Sequence, residues 1–163
     1  MPGADLIRRA QAPEDVGAVR ILFEAYAASL DVDLCFQGFA EELATLPGAY
    51  APPRGALFVA GPAAAPLGCV ALRPLPADAA SAPAAELKRL YVRPEARGTG
   101  LGAALARAAI DAARAIGYRE IKLDTLPSMT EARALYAALG FRACDAYYAN
   151  PVPGTAYLRL ALD

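Results

Sequence analysis

Residues 85–102 read AELKRLYVRPEARGTGLG, and their reading decides the fold. The segment from Ala85 to Val92 mixes apolar and charged residues in the manner of a strand, and Pro94 breaks it. A glycine-rich run follows at once, Arg97-Gly98-Thr99-Gly100-Leu101-Gly102. From Gly100 a long helix is expected, with Leu101, Leu105, Ala109, Ala112 and Ile116 on one face and Gly117 as its stop. Glycines let several backbone N–H groups converge, and a helix start adds unpaired donors and the positive end of its dipole. Strand, glycine turn and helix together suit a phosphate, and Arg97 adds a charge-assisted contact.

The rest of the chain sets that unit in an alternating pattern. Leu6 to Ala10 reads as a short strand. Pro13-Glu14-Asp15 opens a helix that carries Val16, Val19, Phe23 and Tyr26 at helical spacing to about Ser29. A shorter helix covers about Phe39 to Leu46 and ends at Pro47-Gly48. Gly55 to Leu72 has no charge, but its glycines and prolines forbid a membrane helix. It reads instead as a hairpin, Ala56–Ala60 and Leu67–Leu72. Pro74 to Pro83 has loop composition. A strand at Glu120–Asp124, a helix at Thr130–Leu139 capped by Gly140, and closing strands at 141–148 and 155–162 complete a mixed-sheet α/β pattern. The chain of 163 residues fits one domain, 1–163.

Composition removes whole classes of chemistry. There is no histidine, so no Ser-His-Asp or Cys-His system and no His-ligated metal centre can be built from this chain alone. Proton transfer must use carboxylate, tyrosine, cysteine, lysine or water. Sixteen basic against seventeen acidic residues give a net charge of −1, without the basic footprint of a nucleic-acid binder. The 41 alanines, with 14 Arg against 2 Lys, associate the chain with a GC-rich bacterial genome. Cys35, Cys69 and Cys144 form no CxxC pair and read as buried free thiols in a reducing compartment, hence a cytoplasmic protein. The start, MPGADLIRRA, has no hydrophobic signal region, so secretion is not indicated, and no membrane partner is expected.

The glycine run admits more than one reading. Gly98-Thr99-Gly100-Leu101-Gly102-Ala103 also satisfies the dinucleotide pattern GxGxxG/A, with Asp124 about twenty residues on. Against it, Arg93–Arg97 separate the strand from the glycines, and little chain follows for a doubly wound sheet. A glycine turn that only lets a helix pack closely on a strand is a third reading.

ELKRLYV, then RPEARGTGLG, then a helix resembles motif A of the GNAT superfamily of acetyl-CoA-dependent N-acetyltransferases. The signature Q/R-x-x-G-x-G/A is met by Arg97, Gly100 and Gly102. Leu135-Tyr136-Ala137-Ala138-Leu139-Gly140-Phe141 is similar to the family's LYxxxGF element. The order of elements matches over nearly the whole chain. The resemblance implies a mixed, mostly antiparallel sheet of six to seven strands flanked by about four helices. It implies acetyl-CoA as co-substrate, no metal, and direct attack of an amine in a ternary complex.

The same resemblance implies that Arg97, Gly98, Thr99, Gly100, Leu101 and Gly102 hold the pyrophosphate, and that Leu90, Tyr91 and Val92 pair with the pantetheine arm. Tyr136 is the matching acid, with a core aromatic as its alternative. Glu86 is the candidate base, with Lys88 on the same strand face as its expected pair, and a water chain as the alternative base. The pattern departs at Met129, where members often carry an Asn that contacts CoA. The acceptor, a small-molecule or peptide amine, is expected beside the acidic stretch 21–53, the loop 74–84 and residues 147–151. Asp31 and Asp33 would favour a cationic amine there, or simply face solvent, and Tyr26, Phe36 and Tyr147 would line an apolar slot or pack. Cys35 has no basic neighbour in sequence to activate it. The resemblance also admits a homodimer. A CoA-binding sensor module without turnover is the competing function.

Overall fold

A bulge in one strand organises the molecule. The computed structural model describes residues 6–30, 32–76 and 83–163. Its elements in chain order are β1 (Ile7–Arg9), α1 (Pro13–Ser29), α2 (Phe39–Thr45), β2 (Ala56–Ala60), β3 (Gly68–Pro74), β4 (Ala84–Val92), α3 (Leu101–Ile116), β5 (Glu120–Thr125), α4 (Thr130–Ala138), β6 (Arg142–Ala143) and β7 (Ala156–Ala161). The strands form one sheet in the order β1-β2-β3-β4-β5-β7-β6. Every pair is antiparallel except β4 with β5. This is the mixed, mostly antiparallel architecture expected, with seven strands and four α-helices among the described residues. A single parallel pair does not make the doubly wound parallel sheet of a dinucleotide fold, so that reading is set aside.

The helices divide the sheet into two buried faces. Leu101, Leu105, Ala109 and Ala112 of α3 pack with Val70, Leu72, Leu87 and Ile121 on one face. Val19, Leu22 and Phe23 of α1 pack with Leu57, Val59, Cys69 and Ala71 on the other. Alanine dominates the buried stripe of α3, which lets that helix lie close to the strands. Asp15, in the first turn of α1, also ties the helix to β1 through Arg8, at 2.8 Å. Among the described residues no helix is long and apolar enough to cross a membrane.

The register of β3 on β4 slips between Cys69 and Ala71, which face Tyr91 and Lys88. Two residues of β3 thus span three of β4, and Arg89 takes a φ of 60°. Such a bulge switches the side-chain alternation. Strict alternation would put Glu86, Lys88, Leu90 and Val92 on one face. In the structure Leu90 and Val92 instead join Leu87 against the α3 core, while Tyr91 packs against the α1 core. Just before the bulge β4 leaves β5, since their pairing covers only Ala84–Glu86 with Glu120–Lys122. Leu87–Val92 therefore offer backbone groups with no strand partner on the β5 side.

A second difference lies near the end of the chain. The strand expected at 141–148 pairs only at Arg142 and Ala143. Residues 144–155 leave the sheet as a loop, because three aromatic rings there turn inward on one another. Tyr147, Tyr148 and Tyr157 meet at ring separations of 5.5, 5.6 and 5.9 Å.

Candidate active site

The gap between β4 and β5 continues into a cleft of about 510 Å³. Leu90, Tyr91 and Val92 form one wall of it, the loop Arg97, Gly98, Gly100 and Leu101–Gly102 its end, and the start of α4 the other wall. Gly100 caps α3 at a φ of 86° without any side-chain cap, so the first N–H groups of the helix face the cleft unspent. Arg97 donates from Nε to the Val92 carbonyl at 2.9 Å, which leaves its terminal nitrogens available. Thr99 is the exception in this loop. Its hydroxyl donates to the Ala96 carbonyl at 2.6 Å, and it does not line the cleft. Convergent donors at a helix start, an unpaired strand edge and a channel between them fit a nucleotide diphosphate joined to an amide-bearing arm.

A smaller cavity, about 40 Å³, opens off the cleft where the two strands part. Tyr26, Leu90, Met129 and Ala132 line both spaces, so the two adjoin. Tyr136 lies in this inner wall, 6% exposed, with its ring against Phe141 at 5.5 Å. No hydrogen bond to its hydroxyl forms among the described residues. Burial pushes the phenol well above its usual range, reinforced by Tyr26 and Asp124, so it stays protonated. Tyr26 sits across the cavity, its ring 6.1 Å from that of Tyr91, and burial raises it to about 12. Met129 caps the start of α4 and accepts a long hydrogen bond from Thr125 Oγ1.

Glu86 has neighbours other than those expected. It is 1% exposed and lines neither space. Arg73 holds its Oε1 at 2.8 Å, and the Tyr147 hydroxyl donates to its Oε2 at 2.5 Å. The pairing with Lys88 does not form, because Arg73 from β3 stands directly opposite in the register. Tyr147 is thus tied to Glu86, and burial with that carboxylate raises its phenol strongly.

The inner cavity instead presents Lys88 and Asp124, which the sequence reading did not single out as site residues. Lys88 Nζ donates to Gln37 Oε1 at 3.0 Å. Gln37 Nε2 donates to the Tyr148 hydroxyl at 3.1 Å, and that hydroxyl donates to Asp124. Asn150 Nδ2 donates to the same carboxylate at 2.9 Å. Burial drops Lys88 to about 8, opposed by Glu86. Beside it Arg89 is locked to Glu42 at 2.9 Å, which gives one acid of the 21–53 stretch a buried partner. Asp33 is exposed and lines neither space. Asp31, residues 77–82 of the expected 74–84 wall, and the side chains of Cys35 and Phe36 lie outside the described residues. Of the other thiols, Cys69 is buried and Cys144 half-buried. No cluster of His, Cys, Asp and Glu suited to a metal occurs among the described residues.

A parallel strand pair that parts, a glycine-capped helix start lining the adjoining cleft and a buried tyrosine are features that suit an acyl-CoA. The model of the Acetyltransferase (GNAT) family matches residues 22–141, and the chain belongs to that family. An uncharacterized N-acetyltransferase of Schizosaccharomyces pombe is 38% identical over 155 residues, covering 93% of this chain and 91% of that protein. One from Dictyostelium discoideum is 27% identical, covering 90% and 94%. These relatives are eukaryotic, so the bacterial origin associated with the composition gains no support from them. Among solved structures, a putative acetyltransferase of Salmonella typhimurium with its cofactor acetyl-CoA has a TM-score of 0.66 at 19% identity, covering 97% of this chain and 95% of that one. The NatC complex bound to Gag peptide and CoA includes a chain with a TM-score of 0.71 at 23% identity, covering 96% and 98%.

Proposed function

We propose that residues 1–163 act as one N-acetyltransferase domain, moving an acetyl group from acetyl-CoA to an amine by direct attack in a ternary complex. One observation carries this reading. The cleft that ends at Gly100 adjoins, across Tyr26, Leu90, Met129 and Ala132, the small cavity lined by Tyr136. Arg97 and the loop Gly98–Gly102 take the pyrophosphate, with Thr99 bracing the loop by its bond to Ala96. Leu90, Tyr91 and Val92 take the pantetheine amides along their open edge.

Acetyl-CoA brings the acyl group as a thioester. The amine nitrogen bonds to the acyl carbon, the carbon–sulfur bond breaks, and the Tyr136 phenol gives its proton to the leaving sulfur. Amine protons leave through Asp124 to solvent, and Tyr136 recovers one of them. Asp124 suits this better than Glu86 because it faces the cavity, whereas both Glu86 oxygens are engaged by Arg73 and Tyr147. Glu86 is then a positioning residue that holds Tyr147 and its loop. Tyr26 forms the wall between cofactor and acceptor. The reaction is assigned to the cytoplasm, where free thiols such as Cys69 persist.

The test compares thermal stabilisation by acetyl-CoA and by NADH, then thiol release across a panel of amines. Stabilisation by acetyl-CoA alone, with release dependent on one amine class, is the expected result. No shift with millimolar acetyl-CoA overturns the reading. Binding without thiol release from any amine favours the sensor module, to which the apolar Met129 in place of a polar CoA contact lends some support.

A further inference from the structure

Lys88 is a buried ammonium. It is 6% exposed, and among the described residues it makes no ion pair. Its neighbours explain why. Glu86 is committed to Arg73 and Glu42 to Arg89, each at a guanidinium. The neutral Gln37 oxygen takes one of the three Lys88 donors. Burying an ammonium is costly when no anion compensates, and the fold places this one in the wall of the acceptor cavity.

Asp124 stands opposite. Lys88 and Asp124 each lie two residues beyond the last paired positions of the two parallel strands, Glu86 and Lys122. Both line the same small cavity. One carboxylate oxygen of Asp124 receives Tyr148 and Asn150, and no hydrogen bond to the other forms among the described residues. The chain Lys88–Gln37–Tyr148–Asp124 fixes the spacing of the two charges through three neutral or hydroxyl links. The cavity therefore offers a cation and an anion on hydrogen-bonded mounts in a space of about 40 Å³.

We infer that the acceptor is a small amine that also bears a carboxylate, of the free amino-acid class, with its carboxylate on Lys88 and its amine on Asp124. This rests on the N-acetyltransferase reading. Such a ligand puts a carboxylate in direct contact with Lys88, and the charge-assisted bond is strong in a dry site. Glu86 and Asp124 face Lys88 without forming an ion pair with it among the described residues. A peptide N-terminus presents an amide carbonyl where that carboxylate would sit, and leaves the ammonium buried and unpaired.

The experiment measures thiol release from acetyl-CoA with the twenty free amino acids, their α-amides and the matching decarboxylated amines. The expected result is at least one amino acid turned over with a kcat/KM about tenfold or more above its own amide and amine. Lys88→Met should cut that preference to about two-fold or less, chiefly by raising KM for the acid, and Lys88→Arg should keep part of it. Binding gives a second readout independent of turnover. With CoA present, the preferred amino acid should raise the melting temperature and its amide should not. Amides, amines or peptide N-termini used as well as the free acids overturn the inference. So does an acid preference that survives Lys88→Met. Stabilisation by acetyl-CoA with no amino acid turned over overturns this inference alone, whereas no response to acetyl-CoA overturns the acetyltransferase reading beneath it.

Discussion

The two faces of β4 are chemically opposite, and the charged one is no less buried than the apolar one. Toward α3 the strand shows Ala85, Leu87, Leu90 and Val92, packed among Leu72, Leu105 and Ile121. Toward α1 it shows Glu86, Lys88 and Arg89, at 1, 6 and 4% exposure. Burying charge stabilises little even when the charges pair, while burying leucine is the main source of folding free energy. The α3 face thus packs the sheet, and the α1 face carries charges, of which Lys88 and Arg89 line the inner cavity. Arg89 links the two. Its φ of 60° belongs to a region that non-glycine residues rarely occupy, and Glu42 holds its guanidinium there. The bulge there lies just past Glu86, the last residue of β4 paired with β5, and Lys88, Arg89 and Leu90 line the inner cavity.

The largest expected effect is on catalysis. Tyr136→Phe removes one hydroxyl from the α3-side core and should lower kcat by about 10²–10⁴-fold, the usual worth of a positioned acid. Thermal melting should hardly move, since that hydroxyl bonds nothing in the protein among the described residues. A stable, active Phe variant would return Tyr136 to the role of a packing residue. Asp124→Asn should lower kcat more than Glu86→Gln, and the reverse order would restore Glu86 as the base.

Stability separates the faces next. Leu105→Ala leaves a cavity and should cost about 2–5 kcal/mol. Glu42→Ala strands the Arg89 guanidinium and should cost about 3–5 kcal/mol. The two differ in rescue. Adding Arg89→Met to Glu42→Leu should recover much of the loss by urea denaturation, because the unpaired charge is gone. If the double variant is as unstable as Glu42→Ala, the Arg89 charge itself holds the bulge.

The same contrast governs what the sequence disclosed. Helix α3 was legible because its leucines and alanines recur at helical spacing and glycines bound it, and the glycine loop read as a candidate anion site does line the cleft. The hairpin β2–β3 was legible from its prolines and β-rich flanks. The bulge at Arg89 was not, since no glycine marks it and a left-handed arginine depends on a glutamate 47 residues away. Alternation counted across it therefore assigned Leu90 and Val92 to the wrong face. Tyr136 was found through a local motif. Lys88 and Asp124 escaped as a pair because their meeting depends on the parallel register of two strands separated by α3.

The buried ammonium should reveal itself through pH. Lys88 lies near 8 in the folded protein against 10.5 when unfolded, with Glu86, Asp124, Arg73 and Arg89 as the charged groups facing it. The unfolded chain then binds more protons between those values, so this group's contribution to stability rises as pH rises through that window. Below pH 8 the desolvated charge costs on the order of 3 kcal/mol. Lys88→Met should accordingly be most stabilising near pH 7 and lose most of that advantage by pH 10. A difference that stays flat with pH would mean that the ammonium is already compensated.

The smallest effect belongs to the α3 face, where it meets the cofactor loop. A methyl group at Gly102 would meet Val92 Cγ2 at 3.7 Å and Leu135 Cδ2 at 3.8 Å, ordinary contacts. Alanine also loses less backbone entropy in a helix, so Gly102→Ala should gain about 0.5–1 kcal/mol. Gly100 is the opposite case. Its φ of 86° is left-handed, and alanine there should cost about 1–2 kcal/mol. The KM for acetyl-CoA should separate them again. The GNAT signature accepts alanine at the second of these positions, so Gly102→Ala should leave KM within about two-fold. Gly100→Ala should raise it further, because the N–H groups at the helix start depend on that turn. Equal losses from both substitutions would mean that the loop binds through its bulk shape and not through the helix start at Gly100.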